Sequence, residues 1–369
     1  MRTRILPLLL ASVFGCAPAL TVTRLNSSER KPNNVWVFFT VERGEEPVGG
    51  LDVKSFTIYE DDQLVSPYES LQVIQNPDVA AVQYTMLLLD MSGSITASGD
   101  ADALVDAAKL FTERVGKSQR VGVYSFDGSP DLTPVAAFTE AQGRVDGALE
   151  SLRSRTPKDP STNLHGAVVQ ALKELRQALD KDERPLKFGT LVVFTDGTDR
   201  AARVSRQEML QEISREEYRN YELFAIGVGA EINERELRQV GRDGTELASD
   251  RGKVQQAFAT IADQIEAHMK RFYLLSYCTP ARRGAHRVRI EAHHPEGATG
   301  NLEYDFQADG FGPPPTCDPQ RAPSFRLDDV GVAPLQGGHR PEQRRVRVQP
   351  TPPGGKLSGH VKVVAADTH

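Results

Sequence analysis

Several things are scarce or missing in this chain, and each one narrows what it can be. There are three cysteines in 369 residues, and neither Cys278 nor Cys317 has the neighbours of a metal site or a nucleophile. No excess of positive charge exists: 44 basic residues face 50 acidic ones for a net charge of −6. That balance gives no general attraction to nucleic acid, and a mild negative field mainly favours solubility. The apolar run near the start, Ile5 to Phe14, is too short to cross a bilayer as a helix. Internal repeats are absent. So are two common signatures of enzymes. Ser92 is not in a G-x-S-x-G elbow, and "GVGAE" lacks the third glycine of a phosphate-binding fingerprint.

What remains is an ordinary globular composition, 39% hydrophobic and 25% charged, with enough length for two or three domains at roughly 150 residues each. The N-terminus, "MRTRILPLLLASVFGCAPAL", has Arg2 and Arg4, then the short apolar run, then small residues. This reads as a secretory signal. "VFGC" resembles the lipobox of bacterial lipoproteins, in which the cysteine becomes the lipidated first residue. Val13 and Gly15 fit, and Phe14 is an unusual filler. Residues 1–16 are then a signal peptide and Cys16 the lipid anchor. The competing reading is cleavage after Ala17–Ala19, an A-x-A site that would release a soluble protein. The lipoprotein reading is preferred. It places the protein in the cell envelope, anchored to a membrane, and Ala17 after the cysteine leans toward the outer one. An exported chain sits where disulfides persist, so a single Cys278–Cys317 bridge is set against two unrelated thiols.

Residues 17–34 are polar, with Pro32 beside adjacent asparagines, and read as a tether. Residues 35–79 form a β-rich unit: "VWVFFTVE" and "SFTIYEDD" are strands around a turn-rich break, and "SLQVI" is a third candidate. Over 80–272 the texture alternates. "YTMLLLD", "RVGVYSFD", "GTLVVFTD" and "YELFAIGVG" are continuous apolar runs. Between them lie stretches of helical period such as "ADALVDAAKLFTERVG" and "NLHGAVVQALKELRQAL". This predicts an α/β domain of the doubly wound, Rossmann-like type, with a mostly parallel sheet covered on both faces. "LTPVAAFT", reached by a short turn, is expected to be an antiparallel edge strand. Residues 273–311 return to β texture and are expected to join the strands at 35–75. From 312 to 369 lie ten of the 23 prolines and little apolar content, which predicts a largely disordered tail.

In open α/β sheets, ligands bind beyond the carboxyl ends of the strands, at the point where strand order reverses. Asp90 and Asp196 end two of the predicted strands, and in the usual order those strands are neighbours. Two carboxylates facing one crevice repel each other, and a proton or a cation relieves them. Ser92 and Ser94 follow Asp90 at spacings of two and four, and Thr162 precedes a helix leading into the Asp196 strand. All five groups offer oxygen. Such a set suits a hard cation, Mg²⁺ or Mn²⁺, whereas zinc would call for His or Cys.

"DMSGS", "STNL" and "FTDG", in that order and on those elements, resemble a von Willebrand factor A domain over about residues 80–272. The pattern resembles that family's metal-ion-dependent adhesion site. Residue by residue, the resemblance implies that Asp90, Ser92, Ser94, Thr162 and Asp196 hold the cation. It also implies that an acidic residue of a protein partner completes the coordination. "VGGLDVKSFTIYEDDQ" is similar to a β segment preceding the A domain in exported bacterial proteins, with Asp62 where a turn glycine is commoner.

Blander readings stand beside these. Asp90 alone could be a helix cap. His165 reads as a surface or packing histidine, and His286, His293 and His294 as exposed strand-end residues. "RRVRV" near residue 346 is a solvated charge run. The expected protein is an exported, lipid-anchored adhesion or binding protein and not an enzyme, with no nucleic-acid partner. The alternative is an envelope scaffold whose A domain binds through other surfaces and whose metal site is silent.

Overall fold

The computed structural model describes residues 19–98, 101–229, 232–312, 316–323 and 325. The signal segment with Cys16, and everything from 326 to 369, lie outside the described residues.

The chain begins with β1 (Leu20–Arg30), β2 (Asn34–Arg43), the short β3 (Glu46–Pro47), β4 (Phe56–Glu60), β5 (Gln63–Leu64) and β6 (Val73–Gln75). The α/β part follows: β7 (Ala81–Asp90), α1 (Gly93–Ser98), α2 (Ala101–Val115), β8 (Arg120–Phe126), β9 (Thr133–Thr139), α3 (Gln142–Glu150) and α4 (Leu164–Asp180). It continues with β10 (Leu186–Thr195), α5 (Arg206–Ile213), β11 (Tyr221–Val228), α6 (Glu234–Val240), β12 (Gly244–Ala248) and α7 (Val254–Lys270). Three strands close the described chain: β13 (Phe272–Cys278), β14 (Ala285–His293) and β15 (Thr299–Gln307).

The six-stranded sheet runs β12-β11-β10-β7-β8-β9. Every pairing is parallel except that of the edge strand β9 with β8. Strand order reverses between β7 and β10. The apolar runs are continuous because each strand is buried on both faces. Leu87 and Leu89 of β7 pack with Phe111 of α2 and Phe258 of α7. Met86 and Leu88, pointing the other way, pack with Leu172 and Leu175 of α4.

The other strands form a sandwich. One sheet has the order β1-β2-β13-β6, with β3 on β2, and the other β15-β14-β4-β5. Strands from before and after the α/β part therefore alternate: β13 lies between β2 and β6, and β14 pairs with β4. Phe39, Tyr273, Phe56, Ile290 and their neighbours fill the space between the sheets.

Two sequence expectations need correction. Residues 20–30 are not a tether. They form β1, antiparallel to β2 along its whole length. The strand is hard to read because Asn26 and Ser28 are polar yet buried. A bulge at Arg24/Asn26 also breaks its alternation. Nor is the region from 312 uniformly loose, because its first part lies on the outer face of the β1-β2-β13-β6 sheet. Cys317 is joined to Cys278 by a disulfide. Asn34 Nδ2 donates to Asp318 O at 2.5 Å, Ser276 Oγ to Pro319 O at 2.5 Å, and Trp36 Nε1 to Arg321 O at 3.0 Å. The Phe325 ring meets Phe38 edge-on. This strap needs no apolar periodicity of its own, because sheet side chains satisfy its carbonyls.

The same outer face also meets the α/β part, where Phe38, Phe272 and Leu274 pack with Ala80, Ala81 and Leu186. Arg271 ties the two together, reaching Glu42 on β2 at 2.8 Å and Glu222 on β11 at 3.0 Å.

Candidate metal centre

Asp90 is the last residue of β7 and is fully buried. Its Oδ1 accepts the Ser92 N–H at 2.9 Å, and its Oδ2 accepts the hydroxyl of Thr195 at 2.7 Å. Burial pushes its pKa up to about 7. The Asp196 charge adds to the rise, while the Thr195 and Ser92 bonds offset part of it.

The turn after β7 carries the two serines. Met91 N–H donates to Phe126 O at 2.7 Å, and Gly93 N–H to Pro160 O at 2.9 Å. A Cβ on Gly93 would come within 2.9 Å of Pro160 Cβ, so only glycine lets this turn lie against the 156–161 loop. Ser92 is buried and Ser94 is exposed, with their hydroxyl oxygens 3.2 Å apart. Ser94 Oγ in turn donates to Asp196 Oδ1 at 3.0 Å. Thr162 arrives from the loop before α4 and is buried. Its Oγ1 lies 3.9 Å from where a Cβ on Gly197 would stand. Its carbonyl accepts the Arg200 and Ala201 N–H groups at 2.9 and 3.0 Å, which binds the loop after Asp196 to the loop before α4.

Three loops thus bring Asp90, Ser92, Ser94, Thr162 and Asp196 to the carboxyl end of the sheet, beside the β7/β10 switch point. Sequence reasoning missed Thr195. It sits one residue before Asp196 at the end of β10, and its strand is parallel to β7, so its hydroxyl falls against Asp90. The D-x-S-x-S pattern contains no signal for it.

His165 is not a surface residue. It is buried in the first turn of α4, with its ring beside Glu236, and its backbone N–H bonds Asp199. The three later histidines are dispersed. His286 pairs with Asp61, His293 lies near Thr57, and His294 near Arg43. Among the described residues, no group of three or more His, Cys, Asp or Glu side chains could hold a metal. The candidate is the hydroxyl-rich cluster, on the strength of its own donors. Its donor chemistry fits a hard cation: two carboxylates, one of them buried and disfavoured as a lone charge, and three hydroxyls.

A mostly parallel, doubly wound sheet covered by helices on both faces defines an α/β domain. Residues 85–245 of the chain match the family model described as the von Willebrand factor type A domain, and this part of the protein has that fold. Among solved structures, the chain is similar to proximal thread matrix protein 1 from the mussel byssus, at 16% identity over 50% of this chain and 49% of that one, with a TM-score of 0.42. It spans about half the length of that chain. It is also similar to a von Willebrand factor type A protein from Catenulispora acidiphila (12% identity, 80% and 74% coverage, TM-score 0.42). A third is manganese-loaded Plasmodium vivax TRAP protein (14% identity, 70% and 100% coverage, TM-score 0.42). No curated protein is significantly similar to the chain in sequence.

Proposed function

We propose that this is an exported, lipid-anchored adhesion protein that recognises a protein partner through a Mg²⁺-dependent site. Asp90, Ser92, Ser94, Thr162 and Asp196 would hold the cation, with Mn²⁺ able to replace Mg²⁺. Domains of this family are typically binding modules rather than enzymes, and the domain match favours protein interaction. The observation that supports the reading is the link between the two motifs, with Ser94 bonded across to Asp196 and Asp90 held buried beside them.

When bound, the cation would supply an open coordination position that accepts a carboxylate. The protein's own groups do the rest. The Asp90 carboxylate is aimed by Thr195 and by the Ser92 N–H, and the hydroxyls of Ser92, Ser94 and Thr162 would add oxygen donors without adding charge. Two carboxylates formally neutralise a divalent ion, and the neutral hydroxyls leave its oxygen shell incomplete, so a partner carboxylate would bind by completing the coordination. The signal-like N-terminus and Cys16 support export and anchoring, as does the Cys278–Cys317 disulfide, which suits an oxidising compartment.

The test is recovery of binding partners from envelope extract by the full chain, in Mg²⁺ and in EDTA. Recovery that requires Mg²⁺ and fails for Asp90→Ala is expected. Equal recovery in both buffers, or by the variant, would instead favour a scaffold with a silent site. Mass measurement of the mature N-terminus checks the anchor: a lipidated Cys16 is expected, and an unmodified chain starting at Leu20 would remove it.

A further inference from the structure

The buried His165–Glu236 pair joins three segments, two of which carry proposed cation ligands. His165 lies three residues after Thr162. Its backbone N–H donates to Asp199 Oδ1 at 3.1 Å, and Asp199 Oδ2 accepts the Ala202 N–H at 3.0 Å. In the ring, Nδ1 is 3.0 Å from the Val204 carbonyl and Nε2 bonds Glu236 Oε1. Asp199 Oδ2 also stands 3.6 Å from Nδ1. The ring is thus held at both nitrogens, between the loop after Asp196 and α6. The three side chains are 4–11% exposed, so water cannot substitute for a lost partner.

Each of these bonds ends beside the site. The loop that starts at Asp196 is held to Thr162 by the Arg200 and Ala201 N–H groups, and to His165 through Asp199 and Val204. Glu236 belongs to α6, whose start is capped by Asn233 and lies over Gly197 and Thr198. The imidazole therefore fixes the separation between the Thr162 loop, the Asp196 loop and α6.

We propose that His165 and Glu236 are positioning residues for the cation site, acting by holding the Thr162 hydroxyl and the Asp196 carboxylate at one spacing. This rests on the metal reading above. Loss of the pair lets the two loops relax apart, so the cation meets a site it must first reassemble. Groups that orient metal ligands commonly change metal affinity by about 10–100-fold, and a pair acting through the loops that carry the ligands is expected at the lower end.

The experiment titrates full-length protein with Mn²⁺ and follows the free ion by electron paramagnetic resonance. Glu236→Ala and His165→Gln are each expected to bind Mn²⁺ at least about tenfold more weakly than the parent. The double variant should bind no more weakly than the worse single. Leu175→Ala, a fully buried truncation in the same helix, separates positioning from general destabilisation: it should lower the melting temperature and keep the parent affinity. Glu236→Gln preserves an acceptor for Nε2 and should keep near-parent affinity, while Glu236→Ala still answers the question where His165→Gln does not fold. Parent-like affinity in Glu236→Ala overturns the inference alone. A parent protein that binds no Mn²⁺ overturns the metal reading and this inference together.

Discussion

Ser94 and Asp196, 102 residues apart in sequence, are joined by a 3.0 Å hydrogen bond from the serine hydroxyl to the carboxylate Oδ1. The bond spans the place where strand order reverses, linking the first turn after β7 to the end of β10. In the absence of a cation, the hydroxyl hydrogen partly offsets a carboxylate that faces Asp90. A cation bound between these groups would take lone pairs from both oxygens, and the hydroxyl would then turn its hydrogen away.

Cation should stabilise the folded chain, and chelator should remove the effect. At a Mg²⁺ concentration about a hundred times its dissociation constant, the expected gain is about 2.7 kcal/mol. Asp90→Asn should lose that gain. In EDTA it should be no less stable than the parent, because it removes a buried charge beside Asp196. Thermal melts of both proteins, with Mg²⁺ and with EDTA, check this. A parent melting temperature that ignores Mg²⁺ would count against cation binding.

Thr195→Val removes the hydroxyl that donates to Asp90 Oδ2 while keeping the shape of the side chain. A buried acceptor losing its donor costs about 1–3 kcal/mol. Urea unfolding in EDTA should show a loss in that range. Mn²⁺ affinity should also fall by about tenfold, because the carboxylate is no longer aimed. An unchanged unfolding midpoint would mean that Asp90 finds another donor.

The contact between α7 and β11 should weaken as the solution becomes alkaline. Burial lowers the pKa of His268, but the bond and charge of Glu222 outweigh it, so the histidine stands above its ordinary 6.5. A group raised in this way contributes stability that is fully present below about pH 6.5 and is lost as pH rises through the folded value. His268→Gln should therefore cost most in mildly acidic buffer, with the difference from the parent shrinking as the pH rises above 6.5. Denaturant midpoints measured across that range test it, and a constant difference would rule out the Glu222 pairing as the cause.

Trp36 is the protein's single tryptophan, fully buried, with its indole N–H on Arg321 O. Reduction of the Cys278–Cys317 bridge, or Cys317→Ser, should loosen the strap and move the tryptophan emission to longer wavelength. Closing a loop with a sequence separation of 39 is worth roughly 4 kcal/mol in chain entropy, so the melting temperature should fall as well. Emission unaltered by reduction would show that the side-chain bonds hold the strap unaided.

The α/β architecture was readable because strands buried on both faces must be continuously apolar, and the helices that cover them must be amphipathic. β7, β8, β10 and β11 all follow that rule, and the antiparallel β9 followed from the shortness of its connection to β8. β1 escaped notice because polar side chains supply part of its buried surface. Asn26 and Ser28 lie on a face that lacks the apolar alternation by which a strand is recognised.

By itself the sequence determined which residues could act as oxygen ligands and in what order they occur, because the spacing within "DMSGS" is a local property of one turn. It also determined that a parallel sheet would carry that turn to its carboxyl edge. Only the tertiary structure decided that Thr195 would aim Asp90, that His165 would be buried against Glu236 71 residues away, and that the strap would close over Trp36. These contacts join residues with no fixed spacing and no shared period. Their partners are set by which strand and helix ends the packed core brings together.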